Sequence, residues 1–337
     1  LTAEFTLIDR YFRPLARDPA ARGLFDDAAV LSPPPGRELV VTKDMIAQGV
    51  HFLADDPPAT IGAKLLAVNL SDLAAMGATP LACLLGLGLP SDQSDDWVAG
   101  FAQGLGAMAA RLGCPLIGGD TIAGLDRPVL SLTAFGTVAA GQALARGGAR
   151  AGDRLWVSGT VGDAGAGLAL LTQDGGRTAH PDLVARYRQP EPRLALGQAL
   201  AGLASACADV SDGLLADAAH IASASGVGLD ITLASVPVSD AWQAVMAPAG
   251  VTDAHRLRAA TAGDDYELVF TAQSDCTGAL VTLSETLGLI LTEIGVCSAT
   301  PGVRVRDREG QPIEVTRLGF EHGHGPEGRT EEGCRQD

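Results

Sequence analysis

"IGAKLLAVNLSDLAAM" (residues 61–76) followed by "GATPLACLLGLGLP" (77–90) decides the fold. The first stretch reads as a helix, with Pro57, Pro58 and Thr60 before it and Gly77 after it. The second carries a buried strand over 80–90, far short of the roughly 20 apolar residues a membrane span needs. Asn69 and Asp72 stand three apart and share one helix face. An Asp in mid-helix is ordinarily on the solvent side. Here its flanks are nearly all apolar, so a carboxylate with a task is the better reading.

Outward from this pair the chain alternates helices and strands. Apolar residues 5, 8, 12 and 15 give a short opening helix, and 38–44, "ELVVTKD", a strand ending on Asp44. "SDQSDDWVAGFAQGLGAMAARLG" is an amphipathic helix with Trp97, Phe101, Leu105, Met108 and Leu112 inward and Gly113 as its stop. "CPLIGGD" and "RPVLSLTAFGTV" read as strands of the same sheet, giving an α+β first half. The Gly-, Ala- and Arg-rich stretch 139–153 marks a domain boundary. After it come a strand "RLWVSG", a helix from "TVGDAGAGLALLTQ", a long surface segment over 174–193 and a helix "PRLALGQALAGLA". A strand and turn "CADVSDG", a helix "LLADAAHIASAS" and strands "YELVFT", "LILTEIGVC" and "GVRVRDREG" follow. The tail 321–337 has no apolar period and is expected to be disordered. The expected domains are therefore 1–140 and 141–320.

Of 337 residues, 47% are hydrophobic and 19% charged, enough apolar material for two cores and not the make-up of a disordered chain. With 24 basic against 40 acidic residues the net charge is −16. That balance argues against nucleic acid or an anionic membrane as partner, since both are held by Lys and Arg. Six cysteines lie scattered without metal-binding spacing and read as reduced thiols, and "LTAEFTLIDRYF" lacks a signal-peptide layout. The expectation is a soluble, cytoplasmic protein.

Acidic residues recur in small-residue settings: Asp26–Asp27, Asp44, Asp72, Asp120, Asp209 with Asp212, and Asp264–Asp265. Carboxylates beside buried elements are costly unless compensated, and nearby Lys and Arg are few. Several Mg²⁺ ions would compensate them, and Asp-held Mg²⁺ presents nucleotide phosphates. Each motif has a plainer reading. "GGDT" (118–121) alone is a structural turn more often than not, and "AGDDYELVF" a turn into a strand. "DVSDG" (209–213) could be a helix cap supplied by Ser211 or Asp212. "SGTVGDAGAGLALL" could offer amides to a phosphate or simply pack tightly. No GxxxxGK[ST] or GxGxxG occurs, so any nucleotide is bound by another architecture.

Taken in order, "DDAAVL", "TKDMIAQGVHF", "IGAKLLAVNLSDLAAMGATP", "IGGDT", "LARGGARAGD", "VSGTVGDAGAGL", "DVSDGL" and "AGDDYELVFT" resemble the thiamine-monophosphate kinases, within the larger family of aminoimidazole-ribonucleotide synthetase. The resemblance covers everything but the tail. It implies a two-domain PurM-like α/β (α+β) fold, with a mixed-sheet N-terminal domain that dimerises and binds ATP and metal, and a C-terminal α/β domain. It implies ATP and thiamine monophosphate as ligands, a homodimer, and Asp27, Thr42, Asp44, Asp72, Asp120, Asp209 and Asp212 around several Mg²⁺ ions. Gly119, Asp120, Arg146 and Ser211 match ATP-contacting positions, and His51, Asp264 and Phe320 those holding the thiamine phosphate. Asp212 and Arg146 are the expected catalytic residues. Three positions depart from the family pattern: Phe25 precedes the Asp pair where Gly is frequent, Lys43 replaces a small hydroxyl residue, and Asp264 replaces a Glu.

Within the same family, an aminoimidazole-ribonucleotide or selenophosphate synthetase is the alternative. The latter is expected to carry a reactive Cys near the N-terminus, and none precedes Cys83. From another class, a non-catalytic acidic cation binder is the rival, but no DxDxDG loop is present.

Overall fold

The computed structural model describes residues 4–173 and 180–320. A short helix α1 (Glu4–Leu7) runs into a π turn at Ile8–Phe12. Then come strand β1 (Arg37–Ala47), helix α2 (Pro58–Ala75), β2 (Thr79–Leu89), α3 (Asp95–Leu112), β3 (Leu116–Ala123) and β4 (Val129–Ala139). The four strands form one mixed sheet in the order β1-β4-β2-β3, with only β2 and β3 parallel. Ser94 caps α3, and Gly113 ends it in the left-handed conformation, the stop that the sequence predicts.

Helix α2 is the keel of the molecule. Fourteen of its 18 residues are buried, so it has no solvent face to be amphipathic about. One side lies under the first sheet, and α3 crosses it so closely that a Cβ on Gly104 would stand 1.8 Å from the Ala59 carbonyl oxygen.

The second half holds β5 (Arg154–Ser158), α4 (Asp163–Thr172), α5 (Pro181–Arg188), α6 (Leu194–Ala199), β6 (Ala204–Asp209) and α7 (Leu214–Ser225). After these follow β7 (Gly228–Thr232), α8 (Asp240–Met246), α9 (Asp253–Ala260), β8 (Leu268–Ala272), α10 (Thr277–Leu287), β9 (Leu291–Ser298), β10 (Gly302–Arg306) and β11 (Pro312–Ile313). Its seven strands run β11-β10-β7-β9-β5-β8-β6. Strand β6 meets α2, where the Ser71 hydroxyl donates to Asp209 Oδ2 at 2.9 Å. Mixed α/β architecture in two sheets is the fold class the sequence predicts.

Two expectations need correction. Residues 174–193 are not simply a surface segment: α5 lies within it and buries Leu183, Val184 and Tyr187. Its eight residues sit among Gly, Pro and Arg, too short for a period to stand out. Nor does Ser211 or Asp212 cap α7. Its N-cap is Gly213, with no side-chain cap, and Asp217 from inside the helix accepts the Gly213 amide. The 321–337 tail lies outside the described residues.

Candidate active site

The alternation of β1 sorts its side chains. Thr42, Asp44 and Ile46 point to the helix-covered face, whereas Leu39, Val41, Lys43 and Met45 point to the open one. Thr42 donates its hydroxyl to Asp72 of α2, and Asn69 Oδ1 accepts the Asp44 amide at 2.9 Å. The shared face of Asn69 and Asp72 is thus the face that meets β1.

Asp44, Asp72, Asp209 and Asp212 line one cavity of about 670 Å³ between the two halves, together with Arg146, Ser211, His51, Asp264 and Phe320. Their crowding shows in their acidity. Burial, then the charges of Asp72 and Asp212, push Asp44 up to about 6. Burial raises Asp72 as well, while Thr42 and the Arg146 guanidinium pull it back. Asp209 is raised by burial first and then by Asp72. One exposed arginine does not neutralise this set. Hard oxygen donors with excess negative charge, and no thiol among them, suit a divalent cation such as Mg²⁺.

The 209–213 turn is held from behind. Asp217 Oδ2 accepts the amides of Ser211, Asp212 and Gly213 at 3.0, 3.0 and 3.2 Å. Burial and the nearby Asp212 raise Asp217 to about 7. Asp212, Asp217 and His220 also bring ligand atoms within 4.8 Å of one another, but Asp217 is already committed to the turn. The Asp212 carbonyl accepts the Phe320 amide at 2.8 Å, and the Ser211 carbonyl accepts that of Asp264, also at 2.8 Å. Ser211, Asp212, Asp264 and Phe320 thereby share one backbone frame.

Two of the amides at the start of α4 have a carboxylate partner. Asp265 accepts Gly162 N at 2.6 Å and Ala164 N at 3.4 Å, and a Cβ on Gly167 would lie 2.1 Å from the Leu183 carbonyl oxygen. Tight packing accounts for part of that glycine-rich turn, while Ala164 and Gly165 also line the first cavity.

Asp27, Gly119 and Asp120 stand elsewhere. They line a second cavity of about 630 Å³, with Lys43 and Ser131, on the open side of the first sheet. Strands β1 and β3 are opposite edges of that sheet, so Asp44 and Gly119 are three strand spacings, ~14 Å, apart. Asp120 pairs in the row of Met45 and Ser131, on the open face. Of the 13 residues singled out in the sequence, nine line the first cavity, Thr42 bonds into its wall, and three line the second.

The sequence reading passed over several residues of the first site. Lys64, the one charge in the apolar run before Asp72, is buried against Asp264. Tyr187 lies in the misread α5 and lines the cavity. Glu267, with no exposed surface, gathers Arg186, Arg193 and Ser158 under the 263–267 loop. Lys64 and Asp217 leave a trace in sequence, as lone charges in apolar helices. Glu267 and its two arginines do not, because they meet only in space.

A two-sheet fold with a buried helix between and carboxylates from both halves in one cleft defines the AIR synthase type of protein. The family model for the AIR synthase related N-terminal domain matches residues 25–138, and that for the C-terminal domain 150–308. The thiamine-monophosphate kinase of Caulobacter vibrioides is 42% identical over 322 residues, 95% of this chain and 91% of the relative. That of Escherichia coli K12 is 40% identical over 325 residues, 95% and 98% of the two chains. Among solved structures, thiamine-monophosphate kinase from Stenotrophomonas maltophilia superposes with a TM-score of 0.82 at 45% identity, covering 92% of this chain and 98% of that one. AaThiL complexed with AMPPCP and TMP gives 0.75 at 30% identity, covering 94% and 97%. The hydrogenase maturation protein HypE of E. coli, at 0.77 and 21% identity over 94% and 98%, shares the fold. The chain belongs to the AIR synthase related family and, within it, to the thiamine-monophosphate kinases.

Proposed function

We propose that this chain transfers the γ-phosphoryl group of ATP to thiamine monophosphate, giving ADP and thiamine diphosphate. The observation that carries the reading is the single cleft in which Asp44, Asp72, Asp209 and Asp212 meet His51, Asp264 and Phe320. It is supported by AaThiL, a relative of the same fold complexed with AMPPCP and TMP.

Both substrates are anions, so their mutual repulsion is the barrier to lower. Asp44, Asp72, Asp209 and Asp212, with Thr42, would hold Mg²⁺ in the first cavity, and Asp27 and Asp120 in the second. Bound in the first cavity, such ions would supply positive charge against the phosphates and align them. Arg146 adds a guanidinium at the same wall. The acceptor oxygen of thiamine monophosphate bonds to the γ-phosphorus as the bond to the β-bridging oxygen breaks, and ADP leaves. A phosphate monoester has a second pKa of about 6, so the nucleophile is already ionised at neutral pH and needs no base. The residues here position and stabilise. In this reading residues 1–140 supply nucleotide, metal and dimer contacts, and 141–320 the rest of the cleft.

A homodimer belongs to the same proposal. Leu39, Val41, Met45 and Ile122 stand 46%, 56%, 52% and 55% exposed on the open face of the first sheet. Pairing two such faces would remove an apolar stripe from water and set Gly119 and Asp120 at the seam. Light scattering should give about twice 34.3 kDa for the chain, and Val41→Glu should shift it to the monomer. A wild-type monomer would refute the pairing. No described helix is long and apolar enough to cross a membrane, and the five described cysteines are free, which fits a reducing, cytoplasmic compartment.

The test of the reaction is ADP release from ATP and Mg²⁺ with thiamine monophosphate, with free thiamine and aminoimidazole precursors as controls. ADP matched one-to-one by thiamine diphosphate, from the monophosphate alone, is the expected result. ATP binding without that product would turn the reading toward a synthetase of the same fold.

A further inference from the structure

Lys64 is 2% exposed, in the middle of α2. Its Nζ donates to Asp264 Oδ2 at 2.9 Å and to the His51 carbonyl at 2.9 Å, and stands 4.0 Å from the centroid of the Tyr187 ring. Four separate segments therefore meet at one ammonium: α2, the turn after β1, α5 and the 263–267 loop. Tyr187 donates its hydroxyl to the same His51 carbonyl at 3.3 Å, and Tyr266 donates to Asp264 Oδ1, also at 3.3 Å. Both oxygens of Asp264 are thus anchored.

The loop that carries Asp264 requires such an anchor. Asp264 and Tyr266 have φ of +71° and +52°, left-handed values that side chains other than glycine rarely adopt. The Ser211 and Val210 carbonyls hold the two amides at 2.8 Å, which fixes the backbone, while Lys64 fixes the carboxylate. His51, Tyr187, Asp264 and Tyr266 all line the cleft, so whatever Lys64 orders is presented to the ligand.

We propose that Lys64 is a positioning residue for substrate selection. By clamping the Asp264 carboxylate from beneath, braced by the His51 carbonyl and the Tyr187 ring, it sets the geometry in which that carboxylate meets the cationic thiazolium of thiamine monophosphate. The inference rests on the reading of this cleft given above. A plain strut between the two halves would affect both substrates alike. A positioning residue separates them.

The test compares wild type, Lys64→Met, Asp264→Asn and the double variant, each as the full chain with Mg²⁺, for KM and kcat toward both substrates. Lys64→Met should raise KM for thiamine monophosphate about tenfold, the loss expected of one hydrogen bond to a charged group, and leave KM for ATP within about twofold. Because Lys64 acts through Asp264, the double variant should match Asp264→Asn in KM for thiamine monophosphate. An unchanged or lower KM for thiamine monophosphate, a parallel rise for ATP, or multiplied effects in the double variant overturns the proposal. If Lys64→Met does not fold, the double variant, which leaves no unpaired carboxylate, gives the same comparison against Asp264→Asn. Calorimetric binding of thiamine monophosphate to the same proteins repeats it without turnover. Failure of the wild type to bind or phosphorylate that ligand would sink the functional reading instead.

Discussion

Asp72 is the residue on which both halves of the first site converge. It sits half-buried in α2, takes the Thr42 hydroxyl from β1, and feels Arg146 and Asp209 across the cleft. Asp72→Asn or Asp212→Asn should lower kcat at saturating Mg²⁺ on the order of 100-fold or more, as removal of a preorganised charge does. The thermal midpoint without metal should hold or rise, because each change removes one of the charges that repel. Near-normal turnover at saturating Mg²⁺ would refute these roles. The importance of Asp72 was legible in sequence from its apolar flanks. Asp217 left only the trace of a lone charge in an apolar helix, because three amides converging on one carboxylate is a property of the folded turn.

At the scale of elements, α2 explains most of the architecture. Its small residues let neighbours approach to backbone distance: Gly104 of α3 against Ala59, Phe101 O against Gly62, and Gly197 of α6 against Ala74. A Cβ at Gly104 would have to displace helix backbone, which does not yield as a flexible side chain does. Gly104→Ala should therefore destabilise the chain by about 2 kcal/mol, in the range of core overpacking, and urea unfolding would read it. An unchanged midpoint would mean that α2 and α3 can part at no cost. The long elements, α2, α3, β1, β2 and β4, were visible because 11 to 18 residues show either a period or a long apolar run bounded by Gly and Pro. Helices α5, α8 and α9, with seven or eight residues each, were not, nor were the short strand β7 and the 11-residue α10.

For the whole molecule, the acid cluster makes stability depend on pH and, if it holds Mg²⁺ as proposed, should make it depend on the metal too. An Asp in the unfolded chain titrates near 3.9. Asp44 is raised to about 6 and Asp217 to about 7, and Asp72 and Asp209 are raised too. Between ~3.9 and about 6 to 7 the folded chain binds more protons than the unfolded one, so stability falls as pH rises through that window. The metal-free protein should melt higher at pH 5.5 than at pH 7.5. Mg²⁺ should raise the midpoint at pH 7.5 and do less at pH 5.5, where protons compete for the same oxygens. A metal-free midpoint that falls on acidification to pH 5.5, with no response to Mg²⁺ at pH 7.5, would contradict this. Asp230 moves the other way, lowered by Arg304, and so matters only in stronger acid.

From the sequence alone came most of the alternation of helix and strand, the family resemblance with the α/β class it implies, and the acidic stations from Asp26–Asp27 to Asp264–Asp265. These are local properties: periodicity, punctuation by Gly and Pro, and charge in apolar surroundings survive in a one-dimensional reading. Only the tertiary structure decided which stations meet. The parity of β1 sends Thr42 and Asp44 toward α2 and Lys43 away from it. The strand order puts Asp120 at the far edge of the sheet, in a different cavity from Asp44. The burial of α2 turns Lys64 from an isolated charge into the point where four segments join. Contacts between residues up to 200 positions apart depend on how sheets and helices stack, and no local pattern encodes that stacking.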